Sequence, residues 1–113
     1  MRYDLEDRVV KFGEDIIEFC IGINRNPVID PLIRQLIRSG TSIGANYMEA
    51  NAASSKKDFR NKICLCRKEA QETRYWLIMM KKADAHCAKG LDILYKEVDE
   101  LIRIFGRIYK SSE

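Results

Sequence analysis

The sequence predicts an all-α fold, an antiparallel up-down-up-down four-helix bundle that associates with copies of itself. Three observations predict it. Apolar residues recur at alternating steps of four and three in four successive segments, the period of a helical packing seam. Short connections carrying cap and turn residues separate these segments, and no alternating apolar-polar pattern competes for a strand. One run, Tyr75-Trp76-Leu77-Ile78-Met79-Met80, is apolar on every face of its helix, which is more than the core of a lone bundle covers.

The first helix is read over residues 4–24, with the seam Leu5, Val9, Phe12, Ile16, Phe19 and Ile23. Asp4 is placed to cap it, and acidic side chains crowd its first turns, where the helix dipole favours them. Asn24-Arg25-Asn26-Pro27 ends it, because proline disfavours helix in the residue before it. Asp30-Pro31 gives a cap and a proline at the first helical position, so the second helix is read over 30–53. Its seam is Ile33, Leu36, Gly40, Ile43, Tyr47 and Ala50. Gly40 and Gly44 lie inside it, where each costs about 1 kcal/mol relative to alanine. Close approach of a neighbouring helix is the expected compensation. Ser55 and Asp58 form a capping-box pattern opening the third helix, 55–84, whose seam is Phe59, Ile63, Cys66, Ala70, Thr73, Leu77 and Met80. The period lapses at Asp84-Ala85-His86-Cys87, which reads as a turn. The fourth helix, 88–110, carries Leu91, Leu94, Val98, Leu101, Phe105 and Ile108. The whole chain, 1–113, reads as one domain.

Self-association follows from the apolar residues these seams leave over. Val10, Ile17 and Ile21 lie off the first seam, Leu32 and Ile37 off the second, and Tyr75, Trp76 and Met79 are read as the contact between copies. Apolar and charged content are ordinary for a globular domain, and no stretch approaches the ~18 apolar residues of a membrane span. The N-terminal segment is charged from its second residue and has no apolar core, so it is not read as a signal peptide and the expected location is the cytoplasm.

No catalytic constellation stands out, and the expectation is a protein that is not an enzyme and takes no cofactor or metal. The chain lacks a P-loop, a dinucleotide fingerprint, an HExxH pair and zinc-ligand spacing. Its single histidine, His86, sits in a turn beside Cys87 with no third group to orient it. Cys64 and Cys66 lie two apart on a helix, about 200° around its axis, and do not chelate one metal well. Arg38, Asn46, Glu49 and Glu72 lie near the seams of helices two and three and read as a structural polar network that fixes register.

Charge is distributed unevenly. Residues 1–24 carry three basic against six acidic side chains, and residues 54–84 carry nine basic against four acidic. Arg60, Arg67, Arg74 and Lys81 recur every seven residues and form one stripe on helix three. Such a stripe suits the phosphates of RNA or DNA, with contacts to backbone and weak sequence dependence. The same residues would serve equally as a solvated face, or pair with Glu6, Glu14 or Glu18 of the acidic first helix.

Two blocks carry a family resemblance. The run Gln35-Leu36-Ile37-Arg38-Ser39-Gly40-Thr41-Ser42-Ile43-Gly44-Ala45-Asn46-Tyr47-Met48-Glu49-Ala50 is one. The other is Ser55, Asp58 and Phe59 followed by Lys68-Glu69-Ala70-Gln71-Glu72-Thr73-Arg74-Tyr75-Trp76-Leu77. Together they resemble the four helix bundle proteins, which include those encoded by intervening sequences of bacterial 23S ribosomal RNA genes. The accessory variability determinant of diversity-generating retroelements is a related branch. The resemblance implies an antiparallel bundle assembled as a ring, typically a homopentamer. In the retroelement branch it implies an accessory that binds nucleic acid and a reverse transcriptase. The function expected is therefore a non-enzymatic oligomeric accessory that binds nucleic acid; the alternative is an oligomeric scaffold that binds only protein.

Overall fold

The computed structural model describes residues 2–113, with side chains described from residue 5 onward. The expected cap at Asp4 lies outside the described side chains. The chain forms α1 (Arg2–Ile21), α2 (Ile29–Asn51), α3 (Lys56–Ala83) and α4 (Ala88–Ser111), with a single 3-10 turn at Ala85–Cys87 before α4. Each helix packs on the next, α4 returns to α1, and among the described residues the backbones of α1 and α3 do not approach each other. The four helices thus stand at the corners of a square prism 44 Å long, close to the ~42 Å that the 28 residues of α3 span at 1.5 Å each.

The seams read from the sequence point inward almost throughout. Every seam residue of α2 is buried, as are Ile63, Cys66, Ala70, Thr73, Leu77 and Met80 of α3 and Leu91 to Phe105 of α4. On α1 the last inward position belongs to Cys20, one residue after the expected Phe19. The Phe19 ring instead leans on α4, where a Cβ at Gly90 would stand 3.3 Å from it. The two interior glycines of α2 have the compensation expected. A Cβ at Gly40 would meet Ile16 at 3.0 Å, and one at Gly44 would stand 3.5 Å from the carbonyl oxygen of Val9. These two glycines let α1 lie close along α2.

Helix ends differ from the sequence reading most at the α1–α2 connection, and α2 stops at Asn51, two residues before the expected 53. α1 ends at Ile21, where the Gly22 N–H closes the last turn on the carbonyls of Glu18 and Phe19. The cap of α2 is Asn26 and not Asp30. Its side-chain oxygen accepts the N–H groups of Val28 and Ile29, both at 2.9 Å, with Pro27 in the position that needs no donor. Asp30 is turned outward to accept from Arg25 at 2.7 Å. The expected cap of α3 is present, with Ser55 in extended backbone accepting the Asp58 N–H at 3.0 Å.

Candidate nucleic-acid interface

The stripe of α3, four side chains spaced seven residues apart, lies along the groove between α3 and α4. Antiparallel packing sets residues of α4 against it in rungs. Lys81 faces Asp92 at 3.4 Å, and Arg74 faces Asp99 at 2.8 Å, with Arg103 on the other oxygen of Asp99 at 2.6 Å. Arg67 lies over Gly106, about where a Cβ on that residue would be 3.5 Å from its Nε. The Arg60 guanidinium stacks 4.2 Å above the Tyr109 ring and donates through Nε to Ser112 at 3.3 Å.

The ladder therefore divides in half. Two rungs are ion-paired with aspartates of α4, Asp99 being shared by Arg74 and Arg103. The other two meet a glycine, an aromatic ring and a hydroxyl, and make no ion pair among the described residues. Within one chain these side chains do not pair with α1: the acidic partners of Arg74 and Lys81 come from α4. The reason is topological, because α1 and α3 stand diagonally across the bundle.

Further cations gather at the end without ion pairs. Lys56, Lys57, Arg60, Asn61, Ser112 and Glu113 line an open basin of about 470 Å³, in which Lys56 Nζ donates to the Glu113 backbone carbonyl at 2.6 Å. Arg107 and Lys110 stand exposed on the last turns of α4, while Arg103, one turn earlier, is held on Asp99. The sequence reading missed these three. Their spacing of four and three places all three on one side of α4, and antiparallel packing sets Arg107 and Lys110 toward the start of α3, which is legible only once α3 and α4 are known to be antiparallel neighbours.

α3 is also polarised radially. Its exposed charged side chains are all basic, while Asp58, Glu69 and Glu72 are part-buried. Glu69 and Glu72 are turned toward α2, where both accept from Arg38. Glu72 also accepts the Trp76 indole N–H at 3.0 Å, and Gln35 accepts from Arg38 Nε at 3.1 Å. The indole, the Arg38 guanidinium and the charge of Lys68 hold the Glu72 carboxyl below its usual range. Beneath this network the hydroxyls of Thr73 and Ser39 are fully buried and bonded to each other at 2.9 Å.

Of the four residues read as one network, the structure joins Arg38 and Glu72. Glu49 pairs with Lys62 at 2.7 Å, and Asn46 bonds the Ser42 carbonyl of its own helix at 2.9 Å. Glu49 and Glu72 do not meet, and no group of three or more His, Cys, Asp or Glu able to hold a metal occurs among the described residues. Burial pushes the Cys66 thiol up to about 12 and the Cys20 thiol to about 11, so both stay protonated at neutral pH. Of the residues read as the contact between copies, Tyr75 is 51% exposed, while Trp76 and Met79 are half-buried. Ile78, at 47%, is exposed beside Tyr75.

The model of the 23S rRNA-intervening sequence proteins matches residues 6–107, nearly the whole bundle. The chain belongs to this family. A crystal structure from Bacteroides thetaiotaomicron VPI-5482, described as a protein with unknown function from the S23 ribosomal protein family, superposes with a TM-score of 0.82. The two are 31% identical, over 93% of this chain and 97% of that one. No curated protein matches the chain. Both blocks that carried the resemblance fall in the α2–α3 half of this intervening sequence protein, and they hold its Arg38, Ser39, Glu69, Glu72, Thr73 and Trp76 contacts. No described helix is long and apolar enough to cross a membrane.

Proposed function

We propose that this protein is a non-enzymatic homo-oligomer, a pentameric ring by the family resemblance, that binds nucleic acid through the sugar-phosphate backbone. The observation that carries the nucleic-acid reading is the half of the α3–α4 ladder without ion pairs. There Arg60 and Arg67 make no ion pair among the described residues, Lys56 and Lys57 line one basin with Arg60 in which Glu113 is the single acidic residue, and Arg107 and Lys110 stand exposed on the last turns of α4. Stacking on Tyr109 fixes the plane of the Arg60 guanidinium, which lowers the entropy cost of a phosphate contact. No base-reading motif accompanies these residues, so RNA and DNA are held by charge and not by sequence. The same resemblance makes a reverse transcriptase the protein partner to test.

The test is fluorescence anisotropy with single-stranded RNA and duplex DNA of arbitrary sequence. Binding falls with salt, with a log-log slope of about −0.7 to −0.9 per phosphate neutralised. The double variant Arg67→Glu/Lys110→Glu loses binding, while Arg34→Glu, exposed on α2, keeps it. Absence of binding by the unmodified protein at low salt would overturn the proposal and leave the protein-only scaffold.

A further inference from the structure

The reading as a homo-oligomer raises the question of which faces meet, and the inference below rests on that reading. Beside its buried seam, α1 carries a second one in the same 3-4 rhythm: Asp7, Val10, Glu14, Ile17 and Ile21, all exposed. α3 carries its counterpart: Lys68, Gln71, Tyr75, Ile78 and Lys82, again all exposed. In each, apolar residues occupy positions that a single chain leaves in water, with Ile21 78% exposed. The charges that flank them are acidic on α1 and basic on α3. Glu14, Lys68 and Lys82 make no ion pair among the described residues.

We propose that the outer seam of α1 in one copy packs against the outer seam of α3 in the next. Opposite sign decides this pairing over its rivals. An α1–α1 contact would set Glu14 among the acids of its twin, and an α3–α3 contact would set Lys68 and Lys82 among lysines. The contact is therefore head to tail. α1 and α3 are diagonal corners of the prism, so the two seams lie on opposite sides of one chain and each copy engages two neighbours. An interface of this kind makes a ring when the rotation between copies closes, and does not stop at a dimer. The phosphate-binding groove lies on the neighbouring α3–α4 flank and stays open in such an assembly.

Analytical ultracentrifugation of charge-reversed chains tests the pairing. The unmodified protein should sediment at several chain masses. Asp7→Lys/Glu14→Lys and Lys68→Glu/Lys82→Glu should each weaken self-association at low salt by at least about tenfold. All four reversals in one chain should restore assembly, and so should mixing the two double variants. Far-UV circular dichroism establishes that each variant is helical. If a reversal unfolds the chain, Ile78→Ser carries the same prediction of weakened assembly. Double variants that keep the native mass, or a helical four-fold variant that stays dissociated, would overturn the assignment of faces while leaving the oligomer intact. A monomeric unmodified protein would overturn the oligomer itself, and the anisotropy test above would then stand alone.

Discussion

Trp76 receives most of its definition from one carboxylate. The indole N–H donates to Glu72, which also accepts from Arg38 across the α2–α3 contact. The sequence marks Trp76 as apolar surface for another copy; the structure shows a part-buried ring with its indole N–H satisfied inside the chain and Tyr75 packed on it in a T-shaped pair, centroids 5.0 Å apart. Trp76 is the only tryptophan, so its fluorescence reports on this network alone. Because Glu72 has a lowered pKa in the folded chain, its contribution to stability is complete above the ordinary glutamate range and is lost as pH falls through the folded value. An acid titration followed by tryptophan emission should therefore show a transition below the ordinary glutamate pKa. Glu72→Gln should remove that transition while leaving far-UV circular dichroism at neutral pH unchanged. A transition that persists in Glu72→Gln would assign the signal to unfolding elsewhere.

At the scale of the helices, small residues set the distance between α1 and α2. Two glycines within these helices have opposite surroundings. Gly40 faces Ile16 so closely that an added methyl must displace a β-branched side chain with one favoured rotamer, whereas a Cβ at Gly13 would sit 3.8 Å from Thr41, an ordinary contact. Gly40→Ala should destabilise by about 1–3 kcal/mol through overpacking. Gly13→Ala should stabilise by about 0.5–1 kcal/mol, because alanine restricts the unfolded chain and suits a helix interior. Urea midpoints at constant slope measure both, and equal effects of one sign would refute the close-approach reading of Gly40. The sequence carried enough to suspect this of Gly40, since a glycine on the inward seam has no other use there. It did not carry the choice between two caps for α2. Asn26-Pro27 and Asp30-Pro31 are both cap-proline pairs. Asn26 serves because the extra turn it opens carries Ile29 into the core, and Asp30 is left to Arg25.

In the whole molecule the packing is uneven. α2 and α3 share the most extensive contact, and α1 meets α4 least. That weak edge is held by Arg8, whose fork engages Glu97 at 2.7 and 3.0 Å with Glu100 at 3.7 Å, and by Phe19 lying on Gly90. The pair is about two-thirds shielded from solvent and bidentate, which makes it stronger than an ordinary surface ion pair. Arg8→Ala should cost about 1 kcal/mol and hasten amide exchange in α1 and α4 before α2 and α3. Lys11→Ala, which breaks an exposed pair within α1, should stay within about 0.5 kcal/mol. Uniform acceleration of exchange across all four helices would show that the α1–α4 edge does not open by itself.

The amino-acid sequence alone made legible the helices and nearly all of their inward seams, because each segment carries its own periodicity, and its short connections imposed the antiparallel order. It also marked the residues of α3 that hold excess positive charge. Tertiary structure decided what that charge is worth. Lys81 and Arg74 are ion-paired because antiparallel packing brings Asp92 and Asp99 beside them, while Arg67 and Arg60 have no such partner because the next rungs are Gly106 and Tyr109. A spacing of seven places side chains on one line of a helix, but the identity of the residue across the groove depends on the register between two helices. That register is set by the packing of both seams together.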